Sequence, residues 1–147
     1  MVVFIIALMA GVSFPAISSG VDSLRLRSAG EEAATMLTAA MNRSERRRTP
    51  VEIVILPVEN SITLTSIEPG FRKLYHPGNG VTIAGVLPRA PGADLRLPRQ
   101  FIVYPGGSAP RIGILLANAR GVRRLVRLDP ITGVAESRTL EPTEELP

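Results

Sequence analysis

Two hydrophobic periods divide the chain. Residues 1–19, MVVFIIALMAGVSFPAISS, carry no charge, and the first charged side chain is Asp22. Nine of these residues are Val, Ile, Leu or Phe. As a helix rising about 1.5 Å per residue, the stretch covers roughly 30 Å, one hydrocarbon core. Its apolar side chains favour insertion by about 3–5 kcal/mol together, offset in part by Gly11, Ser13 and Pro15. A cleaved signal peptide would want a basic n-region, which is missing, although Ala7-Leu8-Met9-Ala10 loosely fits a cleavage site. A buried core helix is a second reading, and a single membrane span a third. Length and lack of charge favour the span, lined by Val2, Val3, Phe4, Ile5, Ile6, Leu8, Gly11, Val12, Phe14 and Pro15. Gly11 and Pro15 are places for the helix to bend or approach a neighbour closely.

The helical period continues past Gly20. Leu26, Ala29, Ala33, Met36 or Leu37, and Ala40 recur at spacings of three and four, with Arg25, Arg27, Glu31 and Glu32 largely off that stripe. An Ala-rich face of this kind suits close packing on a sheet. Arg43, Arg46, Arg47 and Arg48 close the helix, where cations meet its negative end, and Thr49-Pro50 stops it. The alternative for this Arg cluster is a binding patch.

From Val51 the period becomes two. Strands are expected at 51–56, 62–65, 71–75, 81–86, 100–104, 111–117, 123–129 and 134–138, separated by Pro/Gly/Asn/Asp turns. Residues 87–99, with three prolines, read as a surface loop. Asp129 is expected to cap the Pro130-Ile131-Thr132-Gly133 turn with its own side chain, and Gly133 to take positive φ. The expected class is α+β, a long N-terminal helix packed on an antiparallel sheet or two-sheet sandwich. Residues 1–20 form the membrane half of the helix, 21–49 its amphipathic half, 50–138 a β-rich head and 139–147 a flexible acidic tail.

Composition narrows the chemistry. Aromatics are only 4% of the 147 residues, so the core is built from Val, Ile, Leu and Ala. With no Cys and a single His, His76, a zinc site, a disulfide framework and a thiol nucleophile are excluded. No Gly-x-Ser-x-Gly elbow accompanies His76, and Pro105-Gly106-Gly107-Ser108 lacks the Lys and spacing of a phosphate loop. No catalytic, metal or cofactor site is expected. The net charge of +4, with Lys73 the one basic residue that is not Arg, permits anionic partners. Arg120, Arg123, Arg124 and Arg127 are the candidate nucleic-acid contacts. Arg123 and Arg127 share a strand face and Arg124 takes the other. No aromatic interleaves them, so bases have no stacking platform, and charge on an edge strand is the plainer account.

The opening Met1-Val2-Val3-Phe4-Ile5-Ile6-Ala7-Leu8-Met9-Ala10-Gly11-Val12-Ser13-Phe14-Pro15 resembles the membrane helix of type IV pilins and type II secretion pseudopilins. Phe101-Ile102-Val103-Tyr104-Pro105-Gly106-Gly107-Ser108, followed by Arg111-Ile112-Gly113-Ile114, resembles a turn and strand of the GspH/FimT-type minor pseudopilins. Arg124 to Val134, with Asp129-Pro130-Ile131-Thr132-Gly133, is similar to that family's closing strand and turn. Gly106 stands where the family often has aspartate. Family precursors also carry a basic leader, a Gly-Phe junction and a glutamate just after it. The expectation is that the true start codon lies upstream. Arg25 and Arg27 alone would keep the head side in the cytoplasm by positive-inside counting, and a leader would reverse that.

The resemblance implies a pilin-like fold and a minor pseudopilin near the tip of a periplasmic pseudopilus, helping protein export across the outer membrane. Its partners would be inner-membrane lipid before assembly, then other minor and major pseudopilins through helix packing and head docking. The protein would be single-pass in the inner membrane with its head in the periplasm. The alternative is a FimT-like minor type IV pilin binding DNA during uptake through the four arginines. A third class, a periplasmic binding module on an anchor, would show a deep apolar pocket in the head.

Overall fold

A computed structural model describes residues 2–68, 70–89 and 91–146, with side chains 10–19 left outside the description. It is α+β: one N-terminal helix packed on two antiparallel sheets. Helix α1 runs Val2–Arg47 without interruption. Eight strands follow: β1 Val51–Leu56, β2 Ser61–Ser66, β3 Arg72–Tyr75, β4 Val81–Leu87, β5 Arg99–Val103, β6 Gly113–Asn118, β7 Arg123–Leu128 and β8 Ala135–Leu140. The first sheet is ordered β3-β2-β1-β5 and the second β4-β6-β7-β8.

The helix buries the stripe that its spacing predicts. Leu26, Ala29, Ala33, Leu37 and Ala40 are inaccessible, and Leu37 rather than Met36 takes the central place. The small side chains let α1 lie close on β6, β7 and β8, with further contact to β1. Arg48 ends the helix in the left-handed conformation (φ 54°), and buried Ser44 donates its hydroxyl to the Val103 carbonyl at 3.3 Å. These fix the helix end against β5. Tyr75 adds a tie from β3, donating to the Ala29 carbonyl at 3.2 Å. Burial raises its phenol above the ordinary value, and nearby Glu32 adds to the effect.

One core joins α1 to both sheets. In β1 the alternating Val51, Ile53 and Ile55 point inward, as do Ile62 and Leu64 of β2, Ile114 and Leu116 of β6, and Val126 and Leu128 of β7. The second sheet is buried on its other face too. Leu87, Leu115, Leu125 and Leu140 form a second cluster there, joined by Leu95 and Leu146. A bulge between Ile83 and Gly85 shifts the alternation of β4, so that Val86 joins Val81 and Ile83 in the first cluster and Leu87 faces the second. The 87–99 segment, expected as a surface loop, therefore has a structural task. It returns Leu95 to the sheet, where the Val86 N–H donates to the Leu95 carbonyl at 3.0 Å.

Turn chemistry follows the expected residues. The Ile131 N–H donates to Asp129 Oδ1 at 2.8 Å, and Gly133 takes φ 70°. Gly106 takes φ 72° in the turn after β5, and its N–H donates to Glu45 Oε1 at 2.7 Å. A residue other than glycine would be strained there.

Candidate functional site

The start of α1 exposes a run of large apolar side chains. At about 1.5 Å per residue, the helix is roughly 70 Å long, and among the described residues its buried apolar stripe begins at Leu26. Val2, Val3, Phe4, Ile5, Ile6, Leu8 and Met9 are 56–80% exposed. These positions span more than two turns, so apolar side chains face outward on every side. A helix that is apolar all round belongs in lipid or among other helices. Among the described residues no helix is long and apolar enough to cross a membrane. Gly11, Val12, Phe14 and Pro15 fall within 10–19, whose side chains lie outside the described residues.

The junction between the projecting half and the head is pinned by charge. Asp22, the first charged residue, receives Arg120 Nε at 2.9 Å. Arg120 lies in the turn between β6 and β7, so the pair joins the helix to the second sheet just where burial begins.

The four candidate arginines do not converge. Arg120 faces Asp22. Arg124 lies on the α1 side of β7, as alternation predicts, and its guanidinium is bound to Ser137 and to Thr139 Oγ1 at 2.9 Å. Desolvation under the helix draws it below the ordinary arginine value, with Arg27 adding repulsion and Glu31 opposing. Arg123, on the opposite face, holds the chain end: its Nη2 donates to the carbonyls of Glu141, Pro142 and Glu144 at 3.3–3.5 Å. Arg127 sits across from Glu136 of β8 and lines a groove of about 350 Å³ with Arg111.

His76 donates from Nδ1 to the Asn60 carbonyl at 3.0 Å. Among the described residues no group of acidic or histidine side chains is placed to hold a metal ion. A groove of about 650 Å³ lies at the other end of α1, between Arg43, Arg46 and Arg47 on the helix and Phe71 and Lys73 beside it. Sequence reasoning singled out the Arg cluster there but not the second wall, because sheet pairing brings in Lys73, and Phe71 just before it, from a remote segment.

Comparison with protein-family models, with curated proteins and with solved structures returned no match.

Proposed function

We propose that this protein is a pilin-like filament subunit, a minor pseudopilin of the GspH/FimT type. Its apolar helix half is held in the inner membrane and then packs among similar helices in a periplasmic pseudopilus that helps export proteins. The head is the cap that such a filament carries, and no bond is made or broken. The observation that carries the reading is the continuity of α1: one helix is apolar on every side over Val2–Met9 and buried in a sheet-built head from Leu26 onward. The resemblance at both ends of the chain supports the same assignment.

The test uses the chain's lack of cysteine. The full chain is expressed in a bacterial host carrying a type II secretion system and fractionated. Single cysteines are placed at Val3 and Ile6, and oxidative cross-linking is followed on gels. Membrane recovery with cross-links to pseudopilins supports the proposal. Recovery in the soluble fraction, or membrane recovery with no helix adducts, overturns it. The DNA-uptake alternative is less favoured, because Arg120, Arg123 and Arg124 are already engaged within the chain. It would return if DNA binding by the full chain fell steeply with salt and was lost on changing Arg123 and Arg124 to Ala.

A further inference from the structure

The groove at the C-terminal end of α1 has features that helix termination does not need. Arg43, Arg46 and Arg47 stand at helical spacing on one wall. Lys73 completes the other wall. It pairs across from buried Leu64 of β2, so its side chain is on the α1 side of the sheet. Phe71 and Ala39 supply apolar lining, and Arg43 stacks on the Phe71 ring at 3.6 Å.

One anion already occupies part of this site. Glu68 reaches Arg43 Nη2 at 2.5 Å. Arg43 Nε is shut off from solvent with no hydrogen-bond partner. Arg46, Arg47 and Lys73 make no ion pair among the described residues, so three cations remain uncompensated around one satisfied pair. The negative end of the helix accounts for Arg46 and Arg47. It does not account for a fourth cation on β3 and an aromatic just ahead of that strand.

We infer that this groove binds an acidic peptide segment of a partner protein, the partner's carboxylates meeting Arg46, Arg47 and Lys73 beside the seat that Glu68 already fills. The volume, about 650 Å³, exceeds what a single carboxylate requires and suits several residues of extended chain. Lys73 belongs to β3, the end strand of its sheet, whose outer edge has no strand partner among the described residues to obstruct an incoming chain. The site is less suited to single-stranded nucleic acid. Its one ring, Phe71, has a face already taken by Arg43. The inference is independent of the filament reading.

The test uses the full chain in detergent micelles and fluorescence anisotropy with a labelled oligoglutamate peptide. Oligoserine and oligothymidylate serve as comparison probes. Binding of oligoglutamate and not oligoserine is expected. The pair Arg46→Gln/Arg47→Gln should weaken it about tenfold, and Lys73→Gln about threefold. The pair Arg89→Gln/Arg96→Gln, with the same change in net charge on an exposed loop, should stay within about twofold. Lys73→Gln leaves the helix untouched, so its loss is not a folding effect of the helix end. The inference is overturned if oligoglutamate fails to bind or the loop pair costs as much as the groove pair. It is also overturned if oligothymidylate binds more tightly with the same groove dependence.

Discussion

Gly30 of α1 lies directly over Arg124 of β7. A Cβ at Gly30 would stand 2.8 Å from the Cδ and Nε of Arg124 and would also strike the Ser137 hydroxyl. The Arg124 side chain cannot step aside, because its guanidinium is hydrogen-bonded to Ser137 and Thr139. Glycine is therefore what allows the helix to rest on the second sheet while an arginine passes beneath it. Helix propensity alone would make Gly30→Ala stabilising by about 1 kcal/mol. Overpacking costs about 1–3 kcal/mol and should prevail, leaving a net loss of about 1 kcal/mol. Gly20→Ala is the comparison, since nothing lies within 4 Å of a Cβ there. Chemical denaturation should show opposite signs for the two variants, and equal signs would refute the close contact.

Leu37 is fully buried at the centre of the helix–sheet core, whereas Leu24, on the same helix, is 66% exposed. Leu37→Ala should cost about 2–5 kcal/mol in unfolding free energy through lost contacts and a residual cavity. Leu24→Ala should stay within about 0.5 kcal/mol. A comparable loss for both would mean that the head does not grip α1 through this face.

Acid sensitivity is expected from two carboxylates. Asp129 is held below its ordinary value, first by the hydrogen bond from the Ile131 N–H. Glu144 is held down, first by its hydrogen bond with Arg138, at 2.7 Å. A depressed folded-state value means the unfolded chain binds the proton more readily. The stabilisation is then complete above the unfolded values, about 3.9 for Asp and 4.3 for Glu, and is lost as pH falls through the lower folded values. Melting temperature should fall below about pH 4. Asp129→Asn can keep the turn bond while removing the charge, so it should flatten that fall. An unchanged profile in this variant would remove Asp129 from the account.

Arg123 fastens the chain end by donating to three carbonyls between Glu141 and Glu144. Leu146 also packs on the outer cluster of the second sheet. Arg123→Ala should loosen the tail while sparing the core. A glutamate-specific protease should then cut after Glu144 or Glu145 several-fold faster, with the global melt nearly unchanged. An unaltered cleavage rate would show that Leu146 and the Arg138–Glu144 pair suffice.

Much of the fold can be read from local pattern. The stripe Leu26-Ala29-Ala33-Leu37-Ala40 is buried as its spacing requires. The alternation of Val51, Ile53 and Ile55 sets β1's inner face. Asp129 and Gly133 build the turn that their side-chain chemistry favours. The 87–99 loop is less legible. Its prolines mark it as a non-strand, but nothing local announces that Leu95 returns to cover the second sheet. The arginines are legible by face and not by partner. Alternation separates Arg124 from Arg123 and Arg127, yet the partners Asp22, Ser137 and Glu144 come from remote segments.

The sequence by itself determined where the chain is helical, where it alternates, where it turns, and that its first residues are apolar on every side. Those properties depend on near neighbours and on a backbone with two regular periods. Only the tertiary structure decided the strand orders β3-β2-β1-β5 and β4-β6-β7-β8. It also decided the seating of Gly30 on Arg124 and the meeting of Lys73 with the helix-end arginines. Each of these depends on register between segments far apart in the chain, where many pairings satisfy the same local pattern and shared burial selects one.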